Sequence, residues 1–158
     1  MHIRLATLQD LEVLVSLFDG YRVFYRQPSD YESARSFLKK RLQHKDSVIY
    51  IAFAKPVLSA VEVADSNIAV GFTQLYPIFS SVSMEPMYLL NDLFIDLDFR
   101  GQGIGQALID TVKALCRDEH QKGIVIQTET TNPAQHLYER LGFKKDPDLH
   151  YFWATSKL

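Results

Sequence analysis

Residues 100–106, Arg100-Gly101-Gln102-Gly103-Ile104-Gly105-Gln106, gather three of the chain's seven glycines beside an arginine. An apolar stretch, Leu93-Phe94-Ile95, precedes them, and a helical pattern follows. A glycine-rich turn that feeds a helix lets main-chain N–H groups approach an anion with no Cβ in the way. The positive end of the helix dipole adds to the attraction, and Arg100 supplies a full charge. The chemistry that suits this spacing is a cradle for a phosphate or pyrophosphate. A dinucleotide fingerprint needs G-x-G-x-x-G at an opening βαβ unit, whereas these glycines alternate and follow several strands. A P-loop needs Gly-Lys-Ser/Thr, and the chain has Gly105-Gln106-Ala107. A turn that only permits tight packing stays open from this segment alone.

Other residues carry possible chemistry. Tyr21, Arg22, Phe24, Tyr25, Arg26 and Tyr31 crowd aromatics and arginines near a helix end. They can shape a pocket whose arginine grips a carboxylate in bidentate fashion, or form an aromatic core face with solvated arginines. Gln74, Tyr76 and the serines of 80–83 are candidates for an opposite wall. Cys116 falls mid-helix, away from the glycines, where a structural role is expected. The five histidines are scattered without metal-ligand spacing, so no metal is expected.

The elements that must position these groups alternate. Residues 2–6 read as a strand, with Thr7 and Asp10 suited to cap a helix start. Leu11, Leu14, Val15, Leu17 and Phe18 recur at helical spacing through about residue 24. Pro28 breaks the pattern, and Ser29 or Asp30 opens a second helix carrying Ala34, Phe37, Leu38 and Leu42. Residues 48–54 are β-branched and aromatic, hence a strand. A surface hairpin loop is expected over 55–67, then long strands over 68–79 and 87–95. Residues 103–120 form an amphipathic helix and 124–128 a short strand. Residues 133–141 form a helix capped by Asn132, opened by Pro133 and ended by Gly142. Residues 143–145 and 150–155 are expected to pair as two final strands around Asp146-Pro147-Asp148. The order β-α-α-β-β-β-α-β-α-β-β describes an α+β, or mixed α/β, domain.

Composition sets the outer bounds. The 158 residues are 47% hydrophobic and 23% charged, which suits one globular domain over 1–158. Seventeen basic against 19 acidic residues leave a net charge of −2, which gives no footing for bulk nucleic-acid or anionic-membrane binding. A single cysteine precludes an internal disulfide and fits a reducing, cytoplasmic setting. No apolar run nears the roughly 20 residues of a membrane span.

Two blocks carry a resemblance. Arg100-x-x-Gly103-x-Gly105 resembles the acetyl-CoA signature of the GNAT N-acetyltransferase superfamily, Gln/Arg-x-x-Gly-x-Gly/Ala. Asn132-Pro133-Ala134-Gln135-His136-Leu137-Tyr138-Glu139-Arg140-Leu141-Gly142-Phe143 resembles that family's second block, Asn-x-x-Ala-x-x-x-Tyr-x-x-x-Gly-Phe. The likeness is close over residues 87–155, and the first half agrees in element order. It implies a mostly antiparallel, twisted central sheet with a splayed central strand pair, flanked by helices. It implies acetyl-CoA as co-substrate, with its pyrophosphate on the amides of Gln102, Gly103, Ile104, Gly105 and Gln106, and Arg100 and Gly101 at the loop entrance. The pantetheine arm would add to the edge of Leu93, Phe94 and Ile95 as an extra strand. Asn132 matches a position that contacts the cofactor or caps its helix.

The resemblance makes Tyr138 the general acid for the leaving thiolate, with a core tyrosine as the plainer alternative. Asp92 or Glu129, directly or through water, would deprotonate the acceptor amine. Similar polyamine acetyltransferases hold an acidic residue where this chain has Asn91. Tyr21, Phe24, Tyr25, Arg26 and Asn91 are the expected acceptor-binding residues. The implied function is direct N-acetylation of a small primary amine, amino-acid-like or polyamine-like. Alternatives are a protein lysine or N-terminal acetyltransferase, which needs an open groove, and a non-catalytic acyl-CoA-binding module. Phe152 and Trp153 offer apolar surface for a homodimer.

Overall fold

The computed structural model describes residues 1–55 and 67–155. The chain packs as two compact units, Met1–Gln127 and Thr128–Leu158. In the first unit, β1 (His2–Leu5) leads through a short 3-10 turn (Leu8–Asp10) into α1 (Leu11–Phe24) and α2 (Tyr31–His44). β2 (Val48–Ala54), β3 (Ile68–Ser80) and β4 (Glu85–Ile95) follow, then a 3-10 turn (Leu97–Phe99), α3 (Ile104–Asp118) and β5 (Ile124–Ile126). The loop expected over 55–67 lies, at 56–66, outside the described residues.

The five strands stand in chain order, β1-β2-β3-β4-β5. The first three pairings are antiparallel and the last is parallel. β5 meets β4 only from Tyr88↔Ile124 to Leu90↔Ile126, while β4 runs on to Ile95. Residues 91–95 therefore leave one backbone edge past their last β5 partner. Between Leu75↔Leu90 and Gln74↔Asp92 the register slips, so Asn91 is the extra residue of a β-bulge.

Both sheet faces are covered. Ile49, Ile51, Phe72 and Phe94 meet Leu14, Phe18, Ala34 and Leu38 of α1 and α2 in one core. Ala52 and Val70 meet Phe99, Ile104 and Leu108 in the other. The helices form for local reasons. Asp30 accepts from the Ser33 amide at 3.0 Å at the start of α2, where a cap was expected. Asp10 accepts from the Thr7 amide at 2.8 Å, and Arg4 Nη2 donates to it at 2.6 Å. α3 buries Ile104, Leu108, Val112 and Cys116 as one stripe at four-residue spacing.

In the second unit, α4 (Ala134–Arg140) follows Asn132, whose Oδ1 accepts from the Ala134 amide at 3.0 Å. Gly142, at φ 88°, ends it in the left-handed region. The strands expected over 143–145 and 150–155 are not formed: residues 143–155 adopt no regular element. Pro147 offers no N–H, and the Asp148 amide turns back to Asp146 Oδ1 at 2.9 Å. Leu149, Tyr151, Phe152 and Trp153 are all exposed, and a lone hairpin without a covered apolar face is marginal.

Candidate active site

The glycine turn is built by the end of β4 and the start of α3. Asp96 caps the 3-10 turn by accepting from the Asp98 amide at 3.1 Å, and Phe99 plugs the core beneath it. Gly101 (φ 75°) and Gly103 (φ 79°) sit where an L side chain is strained, and a Cβ on either would meet nothing within 4 Å among the described residues. The turn thus wraps open space, not packed atoms, so glycine is there for backbone shape and access. Ala107 makes the first intrahelical bond, to the Gly103 carbonyl at 3.0 Å. The amides of Ile104, Gly105 and Gln106 precede it and have no intrahelical acceptor. The first turn of α3 carries no acidic side chain. These features fit an anionic diphosphate. Past Leu90 the β4 edge has no β5 partner among the described residues, and it runs through Leu93 and Phe94 to Ile95, whose carbonyl Arg100 takes, at the entrance of the turn.

Arg100 departs from the simple role of a free cation. Its Nε donates to the Ile95 carbonyl at 3.0 Å. Its guanidinium lies over the Phe24 ring at 5.2 Å and the Phe94 ring at 5.8 Å. It therefore joins the glycine turn to the last turn of α1.

That last turn is an aromatic cluster. Tyr21 packs edge-on against Phe72, Phe94 and Tyr25, and Phe24 meets Tyr25 at 5.2 Å. Phe24 and Arg26 are exposed, and Tyr21 and Tyr25 are half-buried. Arg26 adopts φ 63°, turning the chain out of the helix. Arg22 is committed elsewhere, donating to the Pro28 carbonyl at 3.1 Å and lying 3.8 Å from Asp19. Of the two arginines considered for a carboxylate, only Arg26 presents an exposed side chain.

The two candidate bases differ sharply. Glu129, in the second unit, is exposed. Asp92 is only 3% exposed and shares its sheet face with Phe94 under α1 and α2. Burial pushes its carboxyl above the ordinary aspartate value, a rise offset in part by hydrogen bonds from Tyr21 and Asn91. Asn91 Nδ2 donates to Asp92 Oδ1 at 3.1 Å. Asn91 itself is exposed at the bulge. Gln74, considered as wall, is instead fully buried opposite Asp92, donating to Ser47 Oγ at 3.0 Å. Tyr76 is pushed up to about 12, by burial first and the Asp92 charge second. The Tyr21 hydroxyl lies 3.5 Å from the Asn91 carbonyl, a contact sequence reasoning missed, because α1 periodicity cannot report which strand residue a hydroxyl reaches.

Tyr138 lies half-buried on α4, with its ring 6.1 Å from Phe143. The Phe143 amide donates to the Tyr138 carbonyl at 3.0 Å, so Gly142 and Phe143 of the second block brace this helix end. His136 is exposed. Cys116 is buried and its thiol is pushed up by burial, which suits packing over reactivity. Among the described residues no group of three or more His, Cys, Asp or Glu side chains could hold a metal ion. No helix among them is long and apolar enough to cross a membrane.

Comparison with known proteins agrees with this geometry. Residues 55–145 match the acetyltransferase (GNAT) domain model. The chain is 41% identical to the uncharacterized N-acetyltransferase YhfO of Bacillus subtilis (strain 168), over 96% of this chain and 95% of that protein. It is 29% identical to a protein named as a probable acetyltransferase in Haemophilus influenzae, over 90% of each. A crystal structure described as a probable acetyltransferase superposes with a TM-score of 0.89 at 37% identity, covering 100% of both chains. With its glycine turn, mixed sheet and second block all in this setting, the chain belongs to the GNAT acetyltransferases and is an N-acetyltransferase.

Proposed function

We propose that this chain, acting over 1–158 as one catalytic domain, moves an acetyl group directly from acetyl-CoA to a primary amine of a small molecule. The observation that carries the reading is the β4 edge past its last β5 partner at Leu90, leading into the open glycine turn. Bound acetyl-CoA supplies a thioester whose acyl group an amine can attack. The amides at the start of α3 hold the diphosphate, and Leu93, Phe94 and Ile95 align the extended arm. Asn132 serves as the cap of α4.

Asp92 is the base in this reading. Its burial raises its proton affinity above that of an ordinary aspartate. Tyr138 gives its hydroxyl proton to the departing sulfur, a role supported by the second block and by the braced end of α4. Tyr21, Phe24, Tyr25 and Arg26 frame the acceptor, with Asn91 at the bulge. The exposed Arg26 favours acceptors that carry a carboxylate, so amino-acid-like amines are preferred to polyamines.

The test is a CoA-release assay against amino acids, polyamines, aminoglycosides and peptides. Release with carboxylate-bearing small amines is expected, and Arg26→Ala should raise their KM with kcat little changed. Release with peptides alone assigns a protein substrate. Acetyl-CoA binding with no release across the panel assigns a binding module. Tyr138→Phe with unchanged kcat removes that tyrosine from the chemistry.

A further inference from the structure

Phe24, the last residue of α1, carries a ring that is 45% exposed and belongs to neither core. What meets its face is the Arg100 guanidinium, 5.2 Å from the ring centre. We propose that Phe24 is a positioning residue for the cofactor: it seats Arg100 so that the guanidinium grips the diphosphate at the glycine turn. This rests on the reading of that turn as the acetyl-CoA site.

Arg100 is held on three sides. Its Nε donates to the Ile95 carbonyl at 3.0 Å, the Phe94 ring lies 5.8 Å from the guanidinium, and Phe24 closes the third side. The Ile95 carbonyl belongs to the edge that an extended arm would follow. The Asp96 amide donates to the Val70 carbonyl of β3 at 2.9 Å, so Ile95, one residue earlier, turns its carbonyl away from β3. A carbonyl accepts two hydrogen bonds, so an arm amide can share it with Nε. The two terminal nitrogens of Arg100 meet no hydrogen-bond or ion-pair partner among the described residues, and the side chain is exposed beside the turn. They are the donors left over for an anion.

An arginine side chain loses much rotamer freedom when it binds, and a guanidinium already fixed before the ligand arrives loses less. Of its three supports, the Ile95 carbonyl is backbone, and Phe94 is a core ring that also packs against Tyr21 and Phe72. Phe24 is the support that a surface side chain supplies, and it stands in the last turn of α1 beside Tyr21, Tyr25 and Arg26. The grip on the cofactor is therefore set in part from the acceptor wall, outside the glycine motif that contains Arg100.

The test measures CoA affinity of the whole chain by calorimetry, with CoA as the probe because it carries the diphosphate and no acetyl group to transfer. Phe24→Leu keeps apolar bulk and removes the ring face, and it should raise the Kd about threefold, the scale of one exposed cation–π contact. Phe24→Trp, with a stronger face, should bind at least as well as wild type. Arg100→Gln should raise the Kd about tenfold, the scale of one charge-assisted contact. Adding Phe24→Leu to Arg100→Gln should change the Kd no further, because the ring then has no cation to seat. In the free chain, Phe24→Leu should shift the Arg100 Nε–H proton resonance, since a ring current is lost, and should leave Tm in place. A Phe24→Leu loss that persists in full beside Arg100→Gln marks a packing role and overturns the proposal. Wild-type affinity in Phe24→Leu or in Arg100→Gln overturns it, and so does weakened binding in Phe24→Trp or an unmoved Nε–H resonance. A wild-type chain that binds no CoA sinks the reading of the site itself.

Discussion

A single buried carboxylate shows how residue chemistry depends on its surroundings. Asp92 is chemically ordinary, yet its proton is held more tightly in the folded chain than in the unfolded one. The folded state therefore binds more protons than the unfolded state above the ordinary value of 3.8. That penalty on stability is absent well below 3.8, grows as pH rises, and is complete above the folded value. Asp92→Asn should thus gain stability relative to wild type between pH 4 and pH 8 in thermal melts, while losing activity. Gly103 answers to backbone shape instead. Gly103→Ala must hold a left-handed φ at about 1–2 kcal/mol and sets a methyl in the open turn. Acetyl-CoA affinity should fall about tenfold by calorimetry, with a lower Tm. The glycine positions and Tyr138 were legible in sequence because their spacing is itself the signal. The approach of Tyr21 to the bulge at Asn91 was not, because it joins a helix and a strand far apart in the chain.

The elements that frame the acceptor side depend on one connection. Asp19, 4% exposed on α1, accepts from Ser29 Oγ at 2.7 Å and from the Asp30 amide at 2.8 Å. It pins the chain between α1 and α2, and so the aromatic last turn of α1. Asp19→Ala leaves a part-buried N–H and hydroxyl unpaired, at about 2–3 kcal/mol. Urea unfolding should show a lower midpoint with the slope unchanged, and the acceptor KM should rise more than that for acetyl-CoA. Arg100 makes the second connection, bridging the glycine turn to Phe24. Helix periodicity gave α1, α2 and α3 their places, since an apolar stripe at 3.6 spacing needs no partner to be read. The bulge at Asn91 and the short reach of β5 are pairing facts, and a strand's own pattern does not state where its neighbour stops. The expected final strand pair failed for the same reason. Residues 150–155 have strand-like composition, but Tyr151, Phe152 and Trp153 lie exposed and the segment forms no regular element.

Across the whole molecule, acid stability should turn on the tie between β1 and the entry to α1. Asp10 is lowered to about 2, chiefly by its hydrogen bond from Arg4. Its contribution is present above the ordinary value of 3.8 and is lost as pH falls through about 2. Asp10→Asn should therefore lower Tm at pH 7, and the gap to wild type should close below pH 3 in calorimetry. Two cores on opposite sheet faces carry the rest of the first unit. The sequence by itself determined the order of elements through α4, the glycine turn at the head of α3 and the family both blocks point to. Those are local properties, set by spacing, caps and backbone freedom along a few consecutive residues. Only the tertiary structure decided that Asp92 is sealed in and Glu129 is not, that Gln74 is core, and that Arg100 stacks on α1. Each of these depends on what a distant segment places against the residue. Burial and hydrogen bonding set a side chain's proton affinity, and no pattern along the chain encodes them.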